Sequence, residues 1–302
     1  MVKKYTDEST DSNKNNNSHI KGILYIVATP IGNLGDITQR AIDTLKQVDH
    51  ICAEDTRNTR KLLTHFGIQG DLHACHDHNE RQKISTLKNW LDAGKNVALV
   101  SDAGTPLISD PGYHLVSELG QDGYSIVPIP GASAIITALS VAGLPTDRFT
   151  FEGFLPAKSS ARVKTLKANA KETRTQVYYE SSHRIVATID DMLEVFGSDR
   201  NVVLARELTK MFEQIYRGDL TGLQEWISAD RMHQKGEFVL MLMGHIEESE
   251  SDEISGSTQD LLKILVDELP VKQASALAAK ITGKKKNELY KQAMELKKLN
   301  DN

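Results

Sequence analysis

The sequence predicts an α/β protein made of two α/β domains with a cleft between them, followed by a small C-terminal helical domain. Three observations predict it. Short apolar runs alternate with longer amphipathic stretches from Ile23 onward; the loops after those runs are rich in Gly, Pro and Asp; and an acidic stretch separates this series from a last segment with helical spacing.

Taken in order, residues 1–21 are polar throughout and read as a disordered tail, without the apolar stretch of a signal peptide. ILYIVA at 23–28 is the first strand. It opens into TPIGNLGD, where Pro30, Gly32 and Gly35 make a tight turn and Asp36 or Thr38 caps a helix over 37–47. VDHICA at 48–53 is the next strand, with a helix around 57–65; helices near 80–92 and 112–121 are interleaved with VALV and with SIVPIP at 125–130. A boundary near 130–146 divides a first domain, 22–132, from a second, 133–246. The second series reads helix 132–142, strand FTFEGF, a lysine-rich helix 160–171, QVYYE, helix 183–195, NVVLARE, and EFVLMLMG at 237–244. EESESDE and ISGSTQ have no apolar periodicity and form an acidic linker over 247–258. In residues 259–302, Pro270 starts the second of three short helices, Gly283 stops it, and Leu289 and Tyr290 give the third its apolar face. Helix, glycine turn, helix is the outline of a helix-turn-helix, and Lys284, Lys285 and Lys286 in that turn read either as a contact to phosphates or as a solvated turn.

Composition narrows the function. With 302 residues, 39% of them hydrophobic and 25% charged, the chain can bury a core in each domain. No apolar run reaches the roughly 18 residues of a membrane span. Two cysteines, Cys52 and Cys75, give no disulfide framework, which fits a reducing cytoplasm. A net charge of −5 excludes a global attraction to nucleic acid and leaves room for a local basic patch. Neither GxxxxGK[ST] nor GxGxxG occurs after the first strand, so phosphate-cradling nucleotide folds are unsupported. Cys75, His76 and His78 invite a metal reading, but no second Cys/His pair completes the set, Cys52 lies on a separate strand and His73 points differently. No metal is expected.

The stretch SDAGTPLISDPG at 101–112 follows a buried strand and carries Asp102, Gly104, Pro106, Asp110, Pro111 and Gly112 but no lysine. In an open α/β sheet such a loop meets the ligand, and this one suits hydroxyls, an amine or a positive centre better than phosphate. It is one of a series. VATPIGNLGDIT, AEDTRNTRKLL, SDAGTPLISDPG, PIPGASA, YESSHR, ARELTK and KGEFVLML, in this order over residues 27–242, resemble the tetrapyrrole-methylase superfamily of S-adenosylmethionine enzymes. Within it they resemble the branch that methylates a cytidine ribose 2′-hydroxyl in the decoding region of 16S rRNA, and the last segment resembles the helical domain this branch adds. TPIGN stands where porphyrin-precursor methylases carry a GPGD-like loop, which favours the RNA branch.

The resemblance implies S-adenosyl-L-methionine as cofactor, 16S rRNA within the small ribosomal subunit as partner, a homodimer and no membrane. It places the cofactor on the loop after the first strand, here Pro30; on Asp102, Ala103, Gly104 and Thr105; on Pro130, Ala132, Ser133 and Ala134; and on Tyr179 of the second domain. The chemistry agrees. Asp102 can complement the sulfonium or amine, Gly104 allows close backbone approach, and the small Ala132, Ser133 and Ala134 open a helix whose N–H groups can bind the ligand.

Transfer to a ribose hydroxyl needs positioning and removal of a proton. Glu54, Asp55 and Glu180, each ending a predicted strand, are candidate bases; Arg57, Arg60, Arg184, Arg206 and Lys210 are candidates to hold phosphates or polarise the hydroxyl. The competing reading pairs these charges with one another, as Glu180 with Arg184 one helical turn on. Asn79 and Glu80 are candidates to line the same cleft, while Trp90 and Trp226 read as structural. A methylase of a porphyrin or corrin precursor, or a non-catalytic RNA-binding protein with a retained cofactor fold, are the alternatives.

Overall fold

The computed structural model describes residues 21–76, 79–246 and 253–300. The expected tail at 1–20, the first part of the expected linker at 247–252, and His78 lie outside the described residues. The chain forms two compact units, one ending at Gly244 and one beginning at His245.

The first unit holds two five-stranded sheets. In the first, β1 (Ile23–Val27), β2 (His50–Ala53), β3 (Asp71–Ala74), β4 (Val97–Val100) and β5 (Ser125–Ile129) alternate with α1 (Gln39–Gln47), α2 (Thr56–His65), α3 (Glu80–Asp92) and α4 (Tyr113–Gln121). All pairings are parallel, in the order β3-β2-β4-β1-β5. Such a sheet is covered on both faces, and β4 is 0–3% exposed along its length. Leu24, Cys52, Val97 and Leu99 pack on one face with residues of α3 and α4, whereas Val27, Ile51, Ala98 and Val100 pack on the other with residues of α1 and α2.

This arrangement locates the cleft. β1 and β4 are neighbours, yet α1 leaves toward one face and α4 toward the other. Their carboxyl ends therefore flank a topological switch point, where the diverging loops leave a crevice.

α5 (Ala134–Ala142) follows β5 and buries Ile135, Ala138, Leu139 and Ala142 against the second sheet. That sheet comprises β6 (Phe149–Phe154), β7 (Thr175–Ser181), β8 (Asn201–Arg206), β9 (Gln214–Asp219) and β10 (Glu237–Leu242), with α6 (Ser159–Ala168), α7 (Ile185–Phe196) and α8 (Leu220–Ala229) on its other face. β6 and β7 are parallel and the remaining pairs antiparallel. Because β10 runs against β7, Glu237 sits opposite Ser181, and the start of β10 lies beside the end of β7.

The second unit contains α9 (Glu253–Glu268), α10 (Val271–Thr282) and α11 (Lys286–Asn300) around a core of Leu262, Val266, Ala274, Ala278, Leu289 and Ala293. Gly283, at φ 70°, ends α10 in the left-handed conformation that glycine favours. Lys284 and Lys285 occupy the turn and Lys286 opens α11. α9 begins inside the expected linker, so ISGSTQ is helical. No described helix is long and apolar enough to cross a membrane.

β3 and β9, which the sequence did not predict, are both outer strands. Asp71, Gly218 and Asp219 are exposed and no apolar run marks either strand.

Candidate active site

Three loops of the first sheet converge at the switch point. The loops after β1 and β4 are stitched by a pair of backbone bonds: Thr29 N–H donates to Gly104 O at 2.9 Å, and Gly104 N–H to Thr29 O at 3.1 Å. Thr105 Oγ1 donates to Ala132 O at 3.1 Å, tying in the loop before α5. Gly104 has φ +82°, and a Cβ there would press on Ile31 Cγ2 at 3.2 Å. Glycine is required for both conformation and space. Farther along, Leu107 (φ 74°) and Ser109 (φ 63°) also hold left-handed backbone, at about 1–2 kcal/mol each. Strain of this kind concentrates where a loop is shaped for a ligand.

Opposite lie the ends of β7 and β8 and the start of β10. Between the two sets of loops is a cavity of about 550 Å³, within the usual range of small-molecule sites. Ile31, Phe154, Tyr179 and Leu208 give it apolar wall, Ser133 and Ala134 are small, and Glu54, Asp102 and Glu237 bring carboxylates. The Tyr179 ring meets Phe151 edge-on at 4.9 Å and Phe154 at 5.5 Å. Burial pushes its phenol up to about 12, so it stays neutral.

A second hollow of about 310 Å³ adjoins the cavity, sharing Ile31, Asp102, Ala103 and Glu237 with it, and is walled by Pro30, Gly32, Asn58, Lys61 and Lys210. Lys210 bridges Glu207 (2.8 Å) and Glu237 (2.9 Å). Partial burial opposes its charge, but the two carboxylates prevail and hold the ammonium above the usual lysine range. Lys210 is therefore a fixed cation and not a proton acceptor. A Cβ on Gly32 would collide with Lys210 Cγ, so the β1 loop and the loop after β8 touch through glycine. Arg57, Arg60, Lys61 and His65 surround a shallow hollow on α2 next to these sites.

The structure thus brings Glu54, Asp102, Ala103, Gly104, Thr105, Ser133, Ala134, Tyr179 and Glu180 to the cavity and Pro30 and Lys210 to the adjoining hollow. Other expectations are corrected. Asp55 caps α2: its carboxylate accepts Arg57 N–H at 2.8 Å and the Arg57 guanidinium, whose bond draws it down to about 2, far too weak a base for a hydroxyl. Glu180 borders the cavity, but its oxygens accept Ser181 N–H (2.8 Å), Arg184 Nε (2.9 Å) and Thr188 Oγ1 (2.8 Å). It is a buried counter-charge to Arg184, whose Nη1 also donates to Leu155 O. Neither Glu180 nor Arg184 is available for transfer or for RNA.

Arg206 is 4% exposed and donates to Lys235 O, Phe212 O and Gln214 Oε1, so it braces the loops around β8 instead of meeting phosphate. Pro130 and Ala132 are not among the residues lining the cavity, and the helix expected from 132 starts at Ala134. Glu80 is buried and accepts Leu115 N–H at 2.7 Å, while the Asn79 side chain bonds His76 N–H and Ala74 O. Asp102 has a double role: it borders the cavity, and its oxygens accept Asp55 N–H (3.1 Å) and Asn58 Nδ2 (2.9 Å), fixing the start of α2 against the loop.

Residues that sequence reasoning missed include Glu237, Gly236, Glu207 and Ile31. Gly236, at φ +107°, stands where a Cβ would collide with the Glu207 side chain. The segment KGEFVLML, a glycine placed directly before a strand, was the signal available for Gly236 and Glu237.

Two α/β lobes close on a cavity at the switch point, the place where an open α/β sheet binds a small molecule. The chain belongs to the Tetrapyrrole (Corrin/Porphyrin) Methylases family, whose pattern it matches over residues 23–224, and residues 252–297 match the RsmI C-terminal HTH domain. It is 56% identical over 273 residues to a protein of Vibrio cholerae serotype O1 named "Ribosomal RNA small subunit methyltransferase I", covering 90% of this chain and 94% of that one. It is 54% identical over 275 residues to the protein of the same name from Escherichia coli O157:H7, covering 91% and 96%. Among solved structures, a diphthine synthase superposes with a TM-score of 0.59 at 16% identity, over 74% of this chain and 90% of that one. A cobalt precorrin-4 methyltransferase superposes with a TM-score of 0.54 at 18% identity, over 72% and 94%. These two likenesses concern the fold.

Proposed function

We propose that the protein is an S-adenosyl-L-methionine-dependent methyltransferase that 2′-O-methylates the ribose of a cytidine in the decoding region of 16S rRNA. The observation that carries this reading is the pair of adjoining hollows, one apolar with carboxylates, one flanked by lysines, sharing Asp102, Ala103 and Glu237 as a common wall. The names of relatives about half identical along nine-tenths of the chain supply the substrate class.

The residues fit the cofactor. The close approach allowed at Gly104 gives a cradle that a side chain would fill, and Tyr179 with Ile31 and Leu208 gives an aromatic and apolar surface for a purine. Glu54, Asp102 and Glu237 favour a cationic ligand. S-adenosylmethionine supplies, when bound, a methyl group on a positively charged sulfur, and no metal is needed for its transfer. The chain then has three tasks. Lys61 and Lys210 hold a phosphate in the smaller hollow; Arg57 and Arg60 extend that contact along α2; and Glu54, which lines the cavity and accepts Asp102 N–H at 3.4 Å, takes the proton from the ribose hydroxyl. In the second unit, Lys284, Lys285 and Lys286 give a further phosphate contact to an RNA within the small ribosomal subunit. A homodimer in the cytoplasm completes the proposal; Met211 and Phe212, 90% and 63% exposed beside the smaller hollow's Lys210, are apolar surface of the kind a second copy covers.

The test is to incubate the protein and methyl-labelled donor with small subunits from a strain lacking the gene, then map the product. Label on one cytidine ribose of 16S rRNA, marked by resistance of the adjoining phosphodiester to alkali, is expected. Label on a base, or in a tetrapyrrole with none in RNA, overturns the assignment.

A further inference from the structure

The outer edge of the first sheet carries a cluster that the transfer reaction does not use. The parallel register sets His50 of β2 beside Asp71 of β3, and Cys52 beside His73. Side chains alternate along a strand, so His50, Asp71 and His73 fall on one face. Trp90 of α3 packs on the two imidazoles, stacked on His50 with centroids 4.0 Å apart and 4.6 Å from His73. Both rings are thereby fixed in place.

Three lone-pair atoms converge. His50 Nδ1 and His73 Nε2 each lie 3.0 Å from Asp71 Oδ2, and they lie 3.3 Å from each other. Bonds of about 2.0–2.2 Å from one divalent ion to nitrogen and oxygen set neighbouring ligands about 3.0–3.5 Å apart in octahedral or tetrahedral geometry. The triangle has the dimensions of one face of such a polyhedron. The imidazoles are 18% and 23% exposed and the Asp71 carboxylate 60%, so the ion's remaining positions face water. Two imidazoles and a carboxylate suit zinc and its neighbours better than magnesium or calcium, which prefer all-oxygen sites.

We propose that His50, Asp71 and His73 form a binding site for a divalent transition metal ion of the zinc class, separate from the transfer site. Its role is structural. β3 is a four-residue outer strand paired, among the described residues, only with β2, and an ion held by both strands pins that edge. β2 stands between β3 and the β4 and β1 loops that shape the cavity, and none of the three residues lines the cavity or the hollow beside it.

The experiment uses the full chain, free of any affinity tag and stripped with a chelator. Calorimetric titration with Zn²⁺ is expected to give one saturable equivalent. Ni²⁺ is expected to quench Trp90 emission, read in a Trp226→Phe background that leaves Trp90 as sole indole of the two. His73→Gln and Asp71→Asn should each weaken binding at least about tenfold, and Zn²⁺ should raise the melting temperature of the parent chain but not of these variants. Methyl transfer by His73→Gln should stay within twofold of the parent. Should His73→Gln fail to fold, Asp71→Asn carries the test, since that side chain is mostly exposed. No binding below millimolar Zn²⁺, or binding and quenching undiminished in Asp71→Asn, overturns the proposal; the latter would assign the ion to other histidines.

Discussion

The two lobes treat their charges in opposite ways. On the first lobe, Glu54 and Asp102 end at a cavity on loops held in left-handed backbone, and Arg57, Arg60 and Lys61 lie on the surface of α2. On the second, Glu180 is sealed under Arg184 and Thr188, Arg206 is bonded to two carbonyls and a glutamine, and Arg162 is tied to Asp191 at 2.6 Å. Both lobes end strands in charged residues, but Glu180 and Arg206 of the second are committed to internal partners, and Glu237 and Lys210 are the charges by which that lobe borders the hollows without being sealed. A charge at a strand end is therefore no evidence of chemistry until its partners are known, because a buried ion needs those partners merely to exist.

The largest effect that would break this comparison comes from Glu54. Glu54→Gln should lower the rate of methyl transfer about 10²–10⁴-fold while leaving affinity for S-adenosylhomocysteine, which lacks the sulfonium charge, within a few-fold by calorimetry. An unchanged rate would remove the first lobe's claim to the proton. Glu180→Ala should act on stability instead: leaving Arg184 and Thr188 without their acceptor costs about 3 kcal/mol, read as a lower midpoint in urea. Below that midpoint, the protein that remains folded should still bind donor.

A smaller effect follows from the α2 surface. Arg60→Ala with Lys61→Ala should weaken binding to a short decoding-region RNA and flatten its salt dependence, by about 0.7 in log–log slope for each phosphate that is no longer neutralised. An unaltered slope would separate α2 from the RNA. The smallest concerns the cysteines. Burial pushes the Cys75 thiol up to about 11, and it raises Cys52 further still. Since burial disfavours the thiolate, both should resist a thiol reagent at pH 8 in the native chain and react once it is unfolded.

The central strands were legible in the sequence because they are buried on both faces: ILYIV, VALV and EFVLML are nearly continuous apolar runs. DLHA and QIYRGD were not, because an outer strand half in water needs no such run. The same limit hid the His50, Asp71 and His73 cluster, whose members sit 21 and 23 residues apart in the chain and meet only through the register of β2 and β3. The loops bordering the cavity were readable from their glycines. Gly104 is needed where the chain turns left-handed against Ile31, and that need leaves a mark in the sequence. Which carboxylate faces the cavity leaves none. Glu54, Asp55 and Glu180 look alike at strand ends; the bonds to Arg57, Arg184 and Thr188 show how two of them are committed, while Glu54, whose Oε2 accepts Asp102 N–H at 3.4 Å, lines the cavity.

In the proposed mechanism the donor is held between the lobes, on the Gly104 loop and across from Tyr179. A crystal of the protein grown with S-adenosylhomocysteine tests it directly. Electron density for the nucleoside against Gly104 and Tyr179, with the sulfur toward the hollow walled by Lys61 and Lys210, is the predicted result; density at any other place, with this cavity holding only water, would contradict it.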